Sequence, residues 1–146
     1  SRAACVKSTE LAISLARRHD ARLHVLHIST ADELALFERG PLIRADGSRK
    51  RITAETCIHF LRFDSGDYAR LGNFIKCNPA IKDAGDREAL VRALAEDTID
   101  VLATDHAPHT PEENQQPYLR APLAATPRGD GKTPGNRPPR PGRARS

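Results

Sequence analysis

Residues 99–110 read IDVLATDHAPHT, an apolar segment followed at once by an aspartate and two histidines. We predict a strand over Asp100–Thr104, because the segment is β-rich and apolar. A core strand does not need three ionisable groups at its end, and a surface loop seldom concentrates them so tightly. In parallel α/β folds, however, functional groups collect at the carboxyl ends of strands. The stretch therefore indicates both a fold class and a candidate site.

The segments upstream alternate between helical and extended patterns. A Thr30–Glu33 pair has the spacing of a capping box and predicts the start of a helix. Alternating helices and strands favour a parallel α/β sheet, either open and doubly wound or closed into a barrel. The further elements that we predict are helices over Ala3–Arg18 and over Arg87–Glu96 with Asp86 as its cap, and strands over Arg22–Ile28, Arg51–Cys57 and Asn73–Cys77.

Polar side chains follow most of these strands. His27 ends the first strand, Asn78 follows the third, and Asp105 and His109 follow the fourth. Imidazole and carboxylate groups together are the ligands of a hydrolytic zinc site, where bound water becomes a nucleophile. A carboxylate beside that water can take its proton and return it to a leaving nitrogen. We expect Asp105 to have that double role, and His109 to point toward whatever the metal holds.

Structural roles compete with these functional ones. Asp105 could be a helix N-cap, and His106 could brace the loop. Glu55 could satisfy backbone groups at the rim of the sheet. Cys57 and Cys77 lie in predicted strands, where small buried thiols more often pack in the core than bind ligands. The roles of Glu55 and His59 stay open at this point.

Four blocks, taken together and in this order, resemble dihydroorotase, an amidohydrolase-superfamily enzyme of the branch close to hydantoinases and allantoinases. The resemblance spans roughly residues 1–119. The blocks are LHVLHIST at 23–30, TAETC at 53–57, KCNPAIK at 76–82 and ATDHAPHT at 103–110.

The resemblance implies a metal-dependent (β/α)₈ barrel that interconverts N-carbamoyl-L-aspartate and L-dihydroorotate in pyrimidine biosynthesis, with two zinc ions in the complete enzyme. It implies that His27 is a ligand of the second zinc and that Asp105 both binds zinc and acts as the general acid and base. It also implies that Asn78 and His109 bind the substrate.

The length of the chain limits what it can hold. A whole barrel takes about 250 residues and has eight strands, whereas the four predicted strands lie within residues 1–120. The family's His-x-His strand and its bridging metal ligand have no counterpart here. We therefore predict a partial TIM-type (β/α)₈ barrel of about the last four strands over residues 1–120, inactive as this fragment. Residues 121–146 hold six of the eleven prolines and predict a disordered Pro/Gly/Arg-rich tail.

The composition of the chain limits the kinds of partner that we expect it to bind. The net charge of +4 comes from the tail, whose six basic residues accompany one acidic residue. Nucleic-acid binding through this tail is an alternative, but the tail has no aromatic residue for base stacking. No segment has the length of a membrane span. Three cysteines without paired spacing favour a reducing, cytoplasmic location. We expect a small-molecule substrate, and a homo-oligomer is left open.

Two other functions fit the same residues. A hydantoinase or allantoinase relative would share the barrel and the metal site but recognise other cyclic ureides. A non-catalytic homologue that serves as a scaffold would account for the missing upstream ligands.

Overall fold

The computed structural model describes residues 1–123. Residues 124–146, which include nearly all of the predicted tail, lie outside the described part. None of the helices within residues 1–123 has the length and apolar character that crossing a membrane requires. The described elements are helices α1 (Arg2–Arg18), α2 (Ala31–Leu34), α3 (Ile58–Arg62), α4 (Tyr68–Leu71), α5 (Ala84–Ala95) and α6 (Pro111–Asn114), 3₁₀ turns at Ser65–Asp67 and Gly72–Ile75, and strands β1 (Leu23–Val25), β2 (Ile52–Cys57) and β3 (Val101–Ala103).

The three strands form one small parallel sheet in the order β1–β2–β3. Leu23 pairs with Ile52 at one end of β2, and Cys57 pairs with Ala103 at the other. The α/β class predicted from the sequence is therefore confirmed. Because all three strands run in the same direction, their carboxyl ends meet at one edge of the sheet.

The core lies between this sheet and the helices. Ile13 of α1, Phe60 of α3 and Leu90 of α5 are buried together with Ile28 and Ala54. Helix α5 packs against both α2 and α3. Leu90 of α5 therefore points inward, whereas Val91 is about half exposed.

Several predicted elements are confirmed with small shifts at their ends. Helix α1 spans the predicted segment, β2 and β3 match the second and fourth predicted strands, and the Thr30–Glu33 capping box is present at α2. Strand β1 ends earlier than predicted, at Val25. His27 has φ of +56°, which is incompatible with an extended strand, so the chain turns before Ile28.

The third predicted strand, Asn73–Cys77, was wrong. The segment forms a 3₁₀ turn over Gly72–Ile75, and the Lys76 amide donates to the Asn73 carbonyl at 3.1 Å. Backbone groups are thus satisfied locally and need no neighbouring strand. Gly72 begins the turn with φ of +52°, a conformation that glycine adopts without the clash of a Cβ atom.

The predicted cap of α5 was also wrong. Asp83 is the N-cap, and Asp86 is the third helical residue of the same capping box. The Asp86 carboxylate is buried and accepts hydrogen bonds from Arg2 at 2.6 Å and from the Ala31 amide at 2.8 Å. It therefore joins the starts of α1, α2 and α5, which a capping rule based on local sequence does not reveal.

A buried ion pair holds β2 and β3 together at their amino ends. The Lys50 ammonium lies 2.8 Å from an Asp100 carboxylate oxygen, and each side chain is only 2% exposed. The other Asp100 oxygen accepts the Ala54 amide at 2.9 Å. Asp100 thus connects the start of β3 to the backbone of β2.

We expect Asp100→Ala to lower the free energy of unfolding by about 3–5 kcal/mol, because it leaves the Lys50 charge buried and uncompensated. Urea unfolding followed by circular dichroism measures the change. Asp20→Ala is the control, since its ion pair with Arg51 is largely solvent-exposed and should contribute less than about 1 kcal/mol. Equal losses in the two variants would show that the buried pair does not hold the sheet.

The hydrogen bonds of the Asp86 carboxylate should make the stability of the fold depend on pH. Burial raises the pKa of Asp86, but hydrogen bonds from Arg2 and the Ala31 amide outweigh burial, so the pKa lies below its ordinary value. A carboxyl whose pKa is lower in the folded state stabilises the fold above its unfolded pKa of about 3.9 and loses that contribution as the pH falls.

We therefore expect Asp86→Asn to be less stable than the parent chain at pH 7, with a difference that shrinks as the pH falls below about 4. Urea midpoints measured between pH 7 and pH 3 test this. Asp32→Asn is the matched control, because its exposed carboxylate lies 3.6 Å from the same guanidinium. A difference that stays constant across this range contradicts the proposed ionisation.

Candidate active site

Two residues in left-handed backbone conformations mark the carboxyl edge of the sheet. His27 lies two residues beyond β1 with φ of +56°, and Asp105 lies two residues beyond β3 with φ of +45°. Such conformations are uncommon for residues with a Cβ atom and cost free energy. At this edge they accompany a close approach of two side chains, with His27 Nε2 3.7 Å from Asp105 Oδ2.

This separation suits a shared cation. Two ligands at zinc bond lengths of about 2.0–2.2 Å in a tetrahedral site lie about 3.4 Å apart, close to the 3.7 Å found between His27 and Asp105. Both side chains are partly exposed, at 31% and 43%, so the pair is accessible from solvent. The spacing and accessibility of these two side chains therefore fit a bound metal ion.

A cavity of about 230 Å³ adjoins the pair. It brings together three of the four predicted site residues, His27, Asn78 and Asp105. The fourth, His109, does not line it, and its Nδ1 lies 3.4 Å from Glu113 Oε2 instead. The cavity lining is completed by Cys77, Ala107 and Leu123.

His59, whose role the sequence left open, lies beside this edge and is fully buried. Neither of its ring nitrogens has a hydrogen-bond partner within the described part of the chain. Burial lowers its pKa, and the charge of Asp105 and the nearby Thr104 carbonyl oppose that effect only in part. A donor atom of His59 lies within 4.8 Å of donor atoms of Cys57 and Asp105.

The two cysteines near the site are protonated thiols at neutral pH. Burial is the main cause that raises the pKa of Cys57 to about 12 and that of Cys77 to about 11. The thiolate is the reactive form of cysteine, so neither side chain is a ready nucleophile. Glu55, the other residue left open, is 3.3 Å from His24 Nε2 and does not line the cavity.

Sequence reasoning could have found His59 from one signal. Cys57 ends the second strand and His59 follows two residues later, the same offset that separates Asp105 from Ala103. The offset alone does not show burial, which depends on the pairing of Cys57 with Ala103.

The fold is shared with part of a hydantoinase. The solved structure of L-hydantoinase (dihydropyrimidinase) from Arthrobacter aurescens aligns with a TM-score of 0.62 and 26% identity, over 74% of this chain and 23% of that chain. No family model matches the sequence.

Curated proteins with similar sequences point to more specific enzymes. A dihydroorotase from Latilactobacillus sakei is 41% identical over 111 residues, and an allantoinase from Streptomyces avermitilis is 37% identical over 109 residues. These matches cover 76% and 75% of this chain but only 25% and 23% of the relatives. The chain thus spans about a quarter of the length of the curated relatives it matches. The resemblance to dihydroorotase is confirmed over that quarter.

We expect His59→Leu to raise the free energy of unfolding of the metal-free chain by about 1–2 kcal/mol. The substitution removes two buried ring nitrogens that make no hydrogen bond of normal geometry, each of which costs on the order of 1–3 kcal/mol, and replaces the imidazole with an apolar side chain of similar volume. Chemical denaturation in the presence of a chelator measures it.

Thr56→Val is the matched control, because Thr56 is equally buried but donates to the Ile28 carbonyl at 2.8 Å. That change should destabilise the chain. A comparable loss in both variants would mean that the His59 ring has a structural hydrogen bond after all.

Proposed function

We propose that this chain forms part of a dihydroorotase-like, metal-dependent hydrolase of cyclic amides, which interconverts N-carbamoyl-L-aspartate and L-dihydroorotate. The observation that carries the proposal is the approach of His27 Nε2 and Asp105 Oδ2 to 3.7 Å at the carboxyl edge of the sheet, which we call the rim. It occurs in a segment that is 41% identical to a dihydroorotase.

Zinc is the proposed cofactor, held by His27 and Asp105 together with ligands from outside the described residues. When bound, zinc supplies a Lewis acid and lowers the pKa of a coordinated water. The Asp105 carboxylate faces the cavity and is partly exposed, so it can accept a proton from a water there. It can then return that proton to the ring nitrogen that departs when the amide is cleaved.

Substrate binding is assigned to Asn78 and His109. The Asn78 amide lines the same cavity as Asp105 and can both donate to and accept from a cyclic amide. His109 pairs with Glu113 in this structure, so its role requires the loop before α6 to turn its imidazole toward the cavity.

Residues 1–120 are proposed as one part of a larger (β/α)₈ barrel. Strands β1 and β3 are the outer strands of the sheet and pair only with β2 among the described residues. Leu26 lies just after β1 and Leu102 lies in β3, and both are about half exposed. Further strands added at these two edges of the sheet would cover this apolar surface. We expect no turnover from this chain alone, because the site then lacks the remaining metal ligands.

A specific observation favours a second candidate function. The allantoinase relative is 37% identical over 75% of this chain, and the similar solved structure is a hydantoinase. The second candidate is therefore a hydrolase that uses the same His27–Asp105 site but acts on another cyclic ureide instead of L-dihydroorotate.

A chimaera tests the proposal. Replacing the matching 111 residues of the Latilactobacillus sakei enzyme with the corresponding part of this chain should give a protein that hydrolyses L-dihydroorotate in the presence of zinc. Asp105→Asn should lower kcat by at least about 100-fold, since proton transfer then lacks its carboxylate. Asp46→Asn, in an exposed turn, is the control and should leave the rate near that of the parent chimaera.

The same assay includes allantoin and hydantoin as substrates. A folded chimaera that hydrolyses one of these and not L-dihydroorotate assigns the chain to the second candidate. Full activity of the Asp105→Asn chimaera would refute the role of Asp105.

A further inference from the structure

Cys57 and His59 flank the junction at which β2 ends and α3 begins. Cys57 is the N-cap residue of α3, yet its side chain makes no capping hydrogen bond. The pairing of Cys57 with Ala103 places the loop after β3 directly beside this junction. Asp105 lies on that loop, and one donor atom from each of Cys57, His59 and Asp105 lies within 4.8 Å of the others.

The buried imidazole of His59 also lacks the hydrogen bonds that a buried polar group normally makes. Its ring is fully buried, and neither nitrogen makes a hydrogen bond of normal geometry among residues 1–123, although the Thr104 backbone lies nearby. Buried polar side chains are nearly always hydrogen-bonded, and each exception requires an explanation such as an ion. A metal ion bound to one ring nitrogen would supply the missing partner.

We propose that Cys57, His59 and Asp105 form a second cation site, selective for thiophilic divalent ions such as Zn²⁺, Co²⁺ and Cd²⁺. One sulfur, one imidazole nitrogen and one carboxylate oxygen are a donor set that suits these ions and not Mg²⁺ or Ca²⁺, which take oxygen ligands. Three protein ligands leave one position of a tetrahedral ion for water.

The geometry needs only a small adjustment. Ligand atoms around a tetrahedral ion with one sulfur lie roughly 3.3–3.8 Å apart, so donors that now lie within 4.8 Å move by about an ångström or less. Cys57 and His59 are closed to solvent, whereas the Asp105 side chain is 43% exposed. An ion therefore enters from the Asp105 side. The thiol proton passes to solvent as the metal–sulfur bond forms, and no electron is transferred.

The site shares Asp105 with His27. An ion held by Cys57 and His59 takes one carboxylate oxygen of Asp105, and the other oxygen stays on the His27 side. Occupancy thus competes with the proton transfer assigned to Asp105, and the site would act as an inhibitory one. The cation site itself rests on Cys57, His59 and Asp105 alone, whereas its inhibitory effect rests on the proposed function.

Co²⁺ titration of the full 146-residue chain tests the site without any enzyme assay. Cobalt bound to a thiolate gives an intense sulfur-to-metal charge-transfer absorption, which histidine and carboxylate ligands do not give. We expect this band to appear in the parent chain. Cys57→Ser should abolish it, and His59→Gln should raise the Co²⁺ dissociation constant by more than about tenfold.

Three variants separate this site from its neighbours. Cys5→Ser, on α1, should leave the band unchanged. His27→Gln should also keep it, because His27 belongs to the proposed catalytic pair and not to this donor set. Cys77→Ser is the critical comparison, since Cys77 lines the adjoining cavity. Loss of the band in Cys77→Ser with retention in Cys57→Ser overturns the proposal, as does the absence of any band in the parent chain.

X-ray absorption on the zinc-loaded parent chain gives a second test that needs no variant to fold. The expected result is one sulfur neighbour at about 2.3 Å together with nitrogen or oxygen neighbours at about 2.0–2.2 Å. A zinc ion with no sulfur neighbour overturns this site and leaves the His27–Asp105 proposal intact.

Discussion

The parallel pairing of β2 with both of its neighbours is the constraint on which the rest of the structure depends. It brings the carboxyl ends of all three strands to one edge, so that residues distant in sequence share a rim. A shift of either register by one residue would turn each side chain to the opposite face. Asp100 opposes such a shift at the other edge, because its two oxygens bind Lys50 and the Ala54 amide.

The rim carries a concentration of locally unfavourable features that the remainder of the described chain does not share. Within residues 1–123, four residues with a side chain have positive φ: Asp20, His27, Asp97 and Asp105. Asp20 and Asp97 directly follow the C-caps of α1 and α5, where a left-handed residue is the usual way to end a helix. His27 and Asp105 have no such explanation, and they adjoin the unpartnered ring of His59.

Most other buried polar groups have hydrogen-bond partners, so the His59 ring differs from them. Glu33 accepts from Thr9 and Thr30, and Asp86 and Lys50 each have close partners. The Asn114 carbonyl oxygen is a further exception within residues 1–123. Proteins tolerate strain and unsatisfied groups chiefly where function requires them. The rim would therefore qualify as a site on physical grounds, without reference to any relative.

The sequence predicted those features that depend on local chemistry. The strand before Asp105, the capping box at Thr30 and the helix over α1 each follow from neighbouring residues. What it missed depends on contacts far along the chain. Asp83 and Asp86 both suit a capping position, and only the approach of Arg2, about eighty residues away, gives Asp86 its buried role. The 3₁₀ turn over Gly72–Ile75 is the exception: its apolar residues resemble a strand, but its backbone groups are satisfied locally, with the Lys76 amide donating to the Asn73 carbonyl.

For the proposed hydrolase, substrate choice cannot reside in the His27–Asp105 pair itself. Relatives named dihydroorotase and allantoinase match this chain at 41% and 37% identity, and the imidazole and carboxylate at the rim would serve either reaction in the same way. Discrimination must therefore come from cavity residues that contact the parts of a ring remote from the cleaved bond. Among them Asn78 carries an amide, beside the Cys77 thiol, the small Ala107 and the apolar Leu123. Asn78 is exposed in this structure, so a bound ring would have to cover its amide. An amide covered in this way penalises a ligand that leaves its hydrogen bonds unmade far more than an apolar wall penalises a poor fit. Within the proposed function, Asn78 is for that reason the residue of this cavity at which we expect selectivity between cyclic amides to arise.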